Sequence, residues 1–190
     1  MRKLALFGTA IIFGSLIFGC STEKKEAAKV DPAPAEPSLQ VTTTETPAVS
    51  FATWSAEDIN GQMRQATEWV GKRPTVINFW GTWCPPCRKE IPDLVKLYSE
   101  FNPKGVEILG FAVRDEAANV KVFSNEARMG WVMMMGNNEV LDKYGPITGV
   151  PTTIFLDING KEVDRYIGPP TYEQFKASFE KILVGYEPAS

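Results

Sequence analysis

The chain has 190 residues, of which 44% are hydrophobic and 11% are aromatic, and its formal net charge is -3. This length and composition allow one folded domain with a buried core and some additional sequence. They argue against a nucleic-acid partner, because no run of Lys or Arg is long enough to attract a polyanion.

The N-terminal segment has the pattern of a secretion signal. Arg2 and Lys3 precede an apolar run, residues 4–18, that is shorter than the roughly 20 residues needed to span a bilayer. The run leads into Ile-Phe-Gly-Cys at positions 17–20, which resembles a bacterial lipobox. Cleavage before Cys20 would leave its thiol to carry a lipid and would remove Arg2 and Lys3, changing the formal charge from -3 to -5. The alternative is an ordinary secreted protein with a cysteine near its start.

The next segment, residues 20–48, is rich in Ala, Pro, Glu, Lys and Thr and has few large apolar side chains. Such a composition cannot bury enough area to offset the entropy lost on ordering, and its prolines favour an extended chain. We therefore predict a signal peptide at 1–19, a flexible tether at 20–48 and a folded domain at 49–190. The domain would face an oxidising compartment on the periplasmic side of a membrane.

The first half of the domain predicts strand, helix and strand. Residues 75–80 form a β-rich apolar run after Pro74 and predict a buried strand. Residues 85–101 predict a helix with a kink at Pro92. The apolar positions at helical spacing in this segment are Ile91, Leu94, Val95, Tyr98 and Phe101. Residues 106–113 predict a second strand.

The second half continues the alternation of helices and strands. The predicted elements are a helix at 117–128, a short strand at 131–134, a helical turn at 139–144, strands at 152–156 and 162–168 joined by Asn159-Gly160, and a helix at 171–186. Strand–helix–strand followed by hairpin–helix predicts an α/β fold with a central mixed sheet and helices on both faces.

The sequence Gly-Thr-Trp-Cys-Pro-Pro-Cys at 81–87 lies between the first strand and its helix. A cysteine at the first turn of a helix meets unpaired N–H groups and the positive end of the helix dipole, which lower its thiol pKa below the free value of about 8.5. Arg88 and Lys89 add positive charge there, and the spacing lets Cys87 reach back to Cys84. Two prolines suit a helix start.

Three other uses of this cysteine pair fit poorly. A tetrahedral zinc site needs four ligands, and the chain has three Cys and no His. Attachment of c-type haem needs His after the second Cys, where this chain has Arg88. A structural disulfide across so short a loop would stabilise the fold by about 2 kcal/mol. Reversible thiol–disulfide exchange is favoured, and it needs no cofactor beyond the cysteine pair.

The segment 78–92, with Gly-Val-Pro-Thr-Thr at 149–153, resembles the thioredoxin superfamily and most closely its TlpA/ResA-type branch of membrane-tethered disulfide reductases. The resemblance extends over about residues 49–183. It implies a thioredoxin-like fold with a central βα insertion at about residues 116–136. It also implies an extracytoplasmic thiol–disulfide oxidoreductase that reduces protein substrates such as apocytochrome c, and a membrane thiol-transferring protein as its electron donor.

The resemblance also assigns roles to individual residues. Cys84 matches the exposed attacking cysteine, and Cys87 matches the resolving cysteine. Pro151 matches a proline that follows a cis peptide bond and faces the pair, holding the Val150 backbone open for a substrate strand. The residues expected to contact substrate are Trp83, Pro85, Pro86, Val150 and Pro151.

Two polar positions near the pair are less clearly assigned. Glu90 matches an acidic residue that tunes thiol pKa values or relays protons in this branch, and the alternative is a solvated charge in the first helical turn. Asn78 occupies a position at which thioredoxin itself has Asp, and an amide cannot titrate. Glu90 is therefore the nearest candidate for acid–base chemistry.

Two further functions stay open at this point. Met133, Met134 and Met135 offer soft thioether ligands, which suit a copper-binding protein of the same fold, although such a run more often fills a core. A peroxiredoxin-like peroxidase is the other alternative, but that chemistry uses a cysteine in a Thr-containing loop. We also predict that Trp80 lies in the core.

Overall fold

A computed structural model describes residues 53–188 of the chain. The signal, the tether, Cys20 and the first residues of the expected domain lie outside this part. Within residues 53–188, no helix is both long enough and apolar enough to cross a membrane.

The described chain contains seven strands and four α-helices. In chain order these are β1 (Ser55–Glu57), β2 (Met63–Gln65), β3 (Thr75–Trp80), α1 (Pro85–Phe101), β4 (Glu107–Ala112), α2 (Ala117–Glu126), β5 (Val132–Met135), α3 (Asn138–Lys143), β6 (Thr152–Leu156), β7 (Glu162–Ile167) and α4 (Tyr172–Ile182). Short 3-10 turns lie at Ala66–Glu68 and Asn102–Lys104.

The central sheet has five strands in the order β5-β4-β3-β6-β7. β4 is parallel to both β3 and β5, whereas β6 is antiparallel to both β3 and β7. Every residue of β3, β4 and β6 is buried, because helices or loops cover both faces of these strands. This arrangement confirms the predicted mixed sheet with flanking helices.

Two separate cores pack against the two faces. On one face, α1 and α4 enclose an aromatic cluster in which the ring centroids of Phe155 and Phe179 lie 5.5 Å apart and those of Phe101 and Phe179 lie 5.2 Å apart. On the other face, the indole N–H of Trp54 donates to the hydroxyl of Tyr144 at 2.7 Å. Burial of both faces makes the sheet a rigid base for the loops at its ends.

Several predicted bounds agree with the structure and several shift. The elements at 75–80, 85–101 and 152–156 have the predicted limits, and Trp80 is fully buried. The helix predicted at 117–128 ends at Glu126, and the helix predicted at 171–186 ends at Ile182. Pro92 lies inside α1, which continues to Phe101.

The hairpin of β1 and β2 was not among the predicted elements. Its strands are only three residues long, and their side chains are mostly polar or small. The turn depends on the buried Asp58, whose carboxylate accepts the backbone N–H groups of Asn60 and Gln62 at 2.8 and 3.1 Å. A turn of this kind leaves little hydrophobic periodicity in the sequence.

Candidate redox site

The cysteine pair lies where β3 passes into α1. Cys84 is the N-cap of α1, Pro85 and Pro86 are its first residues, and Cys84 and Cys87 are joined by a disulfide. The backbone N–H of Cys87 donates to the Sγ atom of Cys84 at 3.2 Å. This N–H is one of the orphan donors of a helix N-terminus, so after reduction it would stabilise an anion on the sulfur of Cys84.

Cys84 is less exposed than the resemblance implied. Its residue is 2% exposed in the disulfide form, and Cys87 is 0% exposed. The expectation of an exposed Cys84 is therefore wrong for this form, because the carbonyl oxygen of Val150 lies 3.6 Å from its Sγ atom. Cys84 is still the slightly more exposed residue of the pair.

The loop that covers Cys84 precedes β6. Its Val150–Pro151 peptide bond is cis, as the resemblance implied. The pairing of β3 with β6 sets Asn78 opposite Thr153, so Pro151 lies at the end of β3 from which the chain enters the cysteine loop. The backbone N–H of Gly168 donates to the carbonyl of Pro151 at 2.8 Å and connects this loop to the end of β7.

Trp83 forms the exposed border of the site. The side chain is 48% exposed, and its indole N–H donates to the carbonyl of Val113, at the end of β4, at 3.0 Å. This orientation requires glycine at position 81, because a Cβ atom there would lie 2.6 Å from the Nε1 atom of Trp83. Trp83 therefore has a fixed position beside Cys84.

Glu90 lies below the disulfide in the interior of the protein. It is 4% exposed, and its Oε1 atom accepts a hydrogen bond from the side-chain amide of Asn78 at 3.0 Å. The same amide also donates to the Thr153 hydroxyl at 3.0 Å. The alternative of a solvated charge at Glu90 is therefore wrong, since α1 turns this side chain toward the sheet.

Burial changes the acidity of this carboxyl. Loss of hydration raises the pKa of Glu90 to about 8, and the hydrogen bond from Asn78 offsets only part of the increase. The Oε2 atom of Glu90 and the Oδ1 atom of Asn78 have no hydrogen-bond partner among residues 53–188. Glu90 follows Cys87 by three residues, which is about one helical turn of α1.

Asn78 is the site residue whose contribution the sequence did not reveal. The sequence showed that it cannot titrate, whereas the structure shows that it holds the carboxyl of Glu90 and links it to β6. The sequence feature that could have predicted this role is the position of Asn78 in the middle of a buried strand, three residues before Gly81. A buried amide in a strand needs polar partners, and those partners come from distant parts of the chain.

The methionine run is divided between the two faces of the sheet. Met133 packs in the core under α1, whereas Met134 packs in the opposite core. Met135 packs on the same face as Met133. Successive side chains of a strand point to opposite faces, so the sulfur of Met134 does not join those of Met133 and Met135 at one ion. No cluster of three or more Cys, His, Asp or Glu within the described residues is placed to hold a metal.

A cysteine pair at a helix N-terminus, beside a cis-proline loop on a mixed sheet, defines a thioredoxin-like thiol–disulfide oxidoreductase. A profile of the AhpC/TSA family matches residues 45–163. The thiol-disulfide oxidoreductase ResA of Geobacillus thermodenitrificans is 35% identical over 126 residues, which cover 66% of this chain and 71% of that protein. The chain therefore belongs to the AhpC/TSA family of the thioredoxin superfamily and is a protein disulfide oxidoreductase.

Solved structures agree with this assignment. A thiol:disulfide interchange protein of Chlorobium tepidum is 29% identical and has a TM-score of 0.63, covering 70% of this chain and 94% of that one. StoA of Bacillus subtilis is 25% identical with a TM-score of 0.54, covering 66% and 94% respectively.

Replacing Glu90 with Gln is expected to remove a pH dependence of stability. Because folding raises the pKa of Glu90 to about 8, the native state binds this proton more tightly than the unfolded chain does. The contribution of Glu90 to stability is therefore complete below the unfolded pKa of about 4.3 and is lost as the pH rises through about 8. We expect the unfolding free energy of the oxidised wild type to fall by roughly 2–4 kcal/mol between pH 5 and pH 8.5.

Urea denaturation at the two pH values measures this effect. The E90Q variant should change by less than about 1 kcal/mol over the same interval. Glu126→Gln is the matched control, since Glu126 is an exposed residue at the end of α2, and it should keep the wild-type slope. An unchanged slope in E90Q would show that the buried carboxyl does not titrate as described.

Proposed function

We propose that this protein is an extracytoplasmic, membrane-anchored reductase of protein disulfides, with Cys84 as its attacking thiol and Cys87 as its resolving thiol. The observation that supports these roles is the asymmetry of the pair at the start of α1. The Sγ atom of Cys84 accepts a backbone N–H of the helix and touches the Val150 carbonyl, whereas Cys87 is completely buried.

The reaction begins from the reduced pair. The Cys84 thiolate attacks one sulfur of a substrate disulfide, forming a mixed disulfide and releasing the first substrate thiolate. The Cys87 thiolate then attacks the Sγ atom of Cys84, which releases the second substrate thiolate and forms the Cys84–Cys87 disulfide. The substrate gains two electrons, the enzyme loses two, and each released thiolate takes a proton.

Glu90 is proposed to receive the proton of Cys87 as this thiol attacks. A carboxyl with a pKa of about 8 is close in acidity to a thiol with a pKa of about 8.5, so proton transfer between them is nearly balanced. Asn78 acts as a positioning residue, because its amide fixes one oxygen of Glu90 and leaves the other without a partner among the described residues.

The proposed substrate-binding residues surround Cys84. Trp83, Pro85 and Pro86 are exposed, and Val150 is half-buried. Pro151 is buried in the disulfide form, so its contribution is to hold the Val150 backbone beside the sulfur. Extended substrate chain next to Val150 would place its own disulfide against the Sγ atom of Cys84.

Replacement of each cysteine tests the two roles. Cys84→Ser is expected to reduce insulin-disulfide reduction to the background rate, because the attacking sulfur is lost. Cys87→Ala is expected to accumulate mixed disulfides on Cys84, which mass spectrometry identifies directly. Cys20→Ser is the matched control and should keep the wild-type rate, since Cys20 has no part in the exchange.

Two results would contradict these assignments. Full insulin reduction by the Cys84→Ser variant would show that another group is the nucleophile. Consumption of hydrogen peroxide without a protein partner, at a rate that exceeds disulfide reduction, would favour the peroxidase alternative.

The proposed direction, reduction of substrates, follows from the environment of Cys87. A strongly oxidising disulfide has a high reduction potential because its reduced form, with a thiolate, is stabilised. Here the helix N–H is donated to Cys84, whereas Cys87 is completely buried, and the lost hydration disfavours a second anion on its sulfur. The disulfide is then the favoured state, and a membrane thiol-transferring protein is needed to restore the dithiol.

We therefore expect a reduction potential nearer to the about -270 mV of thioredoxin than to the about -120 mV of strongly oxidising disulfide-forming proteins. Equilibration in dithiothreitol redox buffers, followed by alkylation and mass spectrometry, measures it. A potential near the oxidising value would reverse the proposed direction. Apocytochrome c and other envelope proteins with oxidised thiols are the proposed substrates.

The proposed anchor is a lipid on Cys20, joined to the domain at 49–190 by the tether at 20–48. The lipobox-like sequence at 17–20 supports it. Mass spectrometry of the protein purified from membranes is expected to show a chain that starts at Cys20 and carries diacylglycerol. Cys20→Ser should release the protein from the membrane fraction, and an unmodified Cys20 in the wild type would contradict the anchor.

A further inference from the structure

A groove runs along Trp83 on the side away from the cis-proline loop. Its lining residues are Thr82, Trp83, Arg114, Asp115, Glu116 and Asn119, and its volume is about 390 Å³. The groove adjoins the cysteine site, because Trp83 directly precedes Cys84 in the chain. Groups bound in this Trp83 groove would therefore lie within a few residues of a cysteine engaged by Cys84.

Two hydrogen bonds hold the walls of the Trp83 groove in place. The carboxylate of Asp115 accepts the backbone N–H of Thr82 at 2.7 Å, joining the loop after β4 to the cysteine loop. The indole N–H of Trp83 donates to the carbonyl of Val113 at 3.0 Å on the same loop. The groove is thus formed before any partner binds, and binding would need little reordering.

Arg114 is the cation of this groove, and no carboxylate among the described residues pairs with it. Its side chain is exposed, and its guanidinium carbon lies 5.3 Å from the ring centroid of Trp83. It forms no ion pair with any residue between 53 and 188. The neighbouring Asp115 forms no ion pair with Arg114, and its two oxygens accept the backbone N–H groups of Thr82 and Glu116.

The backbone conformation of Arg114 supports a functional role for its contact with Trp83. Its φ angle is 50°, in the left-handed region that residues other than glycine seldom adopt. Such conformations concentrate at binding and catalytic sites, where the surrounding contacts maintain them. At Arg114 the conformation accompanies the placement of the guanidinium against Trp83.

The charged side chains around the cysteine site include more cations than carboxylates. Arg88 and Lys89, in the first turn of α1, are exposed and form no ion pair within the described part of the chain. Glu116 is the exposed carboxylate among the groove residues. Asp115 is a second, half-buried carboxylate, and its two oxygens already accept backbone N–H groups. With Arg114, three cations therefore face two carboxylates at the cysteine site, and this small local excess of positive charge favours an anion even though the whole chain has a formal charge of -3.

We propose that the Trp83 groove binds an acidic side chain located close to the reactive cysteine of a protein substrate, and that Arg114 is the specificity-determining residue. This inference rests on the proposed disulfide reductase function. A guanidinium forms two parallel hydrogen bonds to a carboxylate, and its stacking on Trp83 leaves the N–H donors at its edge free for that contact. The substrate class is therefore a protein disulfide with Asp or Glu next to the cysteine.

Three peptide disulfides of equal length test the proposal. Each is a symmetric dimer whose single cysteine is flanked on both sides by Glu, by Gln or by Lys. Stopped-flow measurements give the second-order rate constant for reduction by the pre-reduced full chain. Each rate is divided by that for dithiothreitol, which corrects for the intrinsic reactivity of the peptide.

The wild type is expected to reduce the Glu peptide about 5–10-fold faster than the Gln peptide at low salt, and 0.5 M salt should lower this ratio. Arg114→Gln should bring the ratio close to one, and Arg114→Lys should restore part of it. Arg128→Gln is the matched control and should keep the wild-type ratio. Arg128 is also an exposed arginine with a left-handed backbone, at a φ of 57°, but it lies beyond the end of α2.

Three results would overturn the proposal: equal corrected rates for the Glu and Gln peptides in the wild type, a preference for the Lys peptide, or an equal loss of the ratio in the Arg114→Gln and Arg128→Gln variants. Failure to reduce any of the three peptides is a different result. It would overturn the proposed reductase function itself, and the inference about Arg114 with it.

Discussion

The antiparallel pairing of β6 with β3 is the constraint on which the site depends. β3 delivers the chain to Cys84, and β6 begins directly after the cis bond at Pro151. Their register sets Asn78 opposite Thr153 and so brings the Val150 carbonyl to within 3.6 Å of the Sγ atom of Cys84. A slip of one residue would reverse every side chain of β6 and separate the loop from the sulfur.

The same pairing creates the polar interior beneath the disulfide. Asn78 and Thr153 lie on neighbouring central strands, and the amide of Asn78 joins Thr153 to Glu90 on α1. A carboxyl in such a place costs free energy in its charged form, and one hydrogen bond does not compensate for the lost hydration. The folded state remains stable despite this cost, because the apolar cores on both faces of the sheet supply most of its stability.

The sequence predicted those parts of the fold that local pattern controls. β3 and α1 had the predicted limits, because a continuous apolar run and a Pro-Pro helix start are strong local signals. Leu97 was not among the predicted inward positions although it is fully buried, while Val95 and Tyr98 are only partly buried. The face of α1 that meets the sheet is set by tertiary packing, which a periodic pattern describes only to within part of a turn.

The site shows the same division between local and tertiary information. The cysteine pair was identifiable because its spacing and its place before a helix are local features. The burial of Glu90 could not be identified from the sequence, since a carboxylate in a first helical turn is usually solvated. Its side chain is buried because strands that are distant in the sequence pack against α1. The contact of Arg114 with Trp83 depends on two loops that are separated by α1 and β4 in the chain.

The two sulfurs therefore have different surroundings, and this difference orders the reaction. Cys84 has the helix N–H, the exposed indole of Trp83 and the nearby cations, all of which stabilise an anion or admit a partner. Cys87 has apolar neighbours, and Glu90, whose pKa burial raises to about 8, follows it by one helical turn. In the proposed reaction, an incoming disulfide meets Cys84 first, and the inner thiol of Cys87 attacks only after its proton has been transferred to another group. Glu90 is the group proposed to accept that proton, because Asn78 holds one of its oxygens and leaves the other without a partner among the described residues.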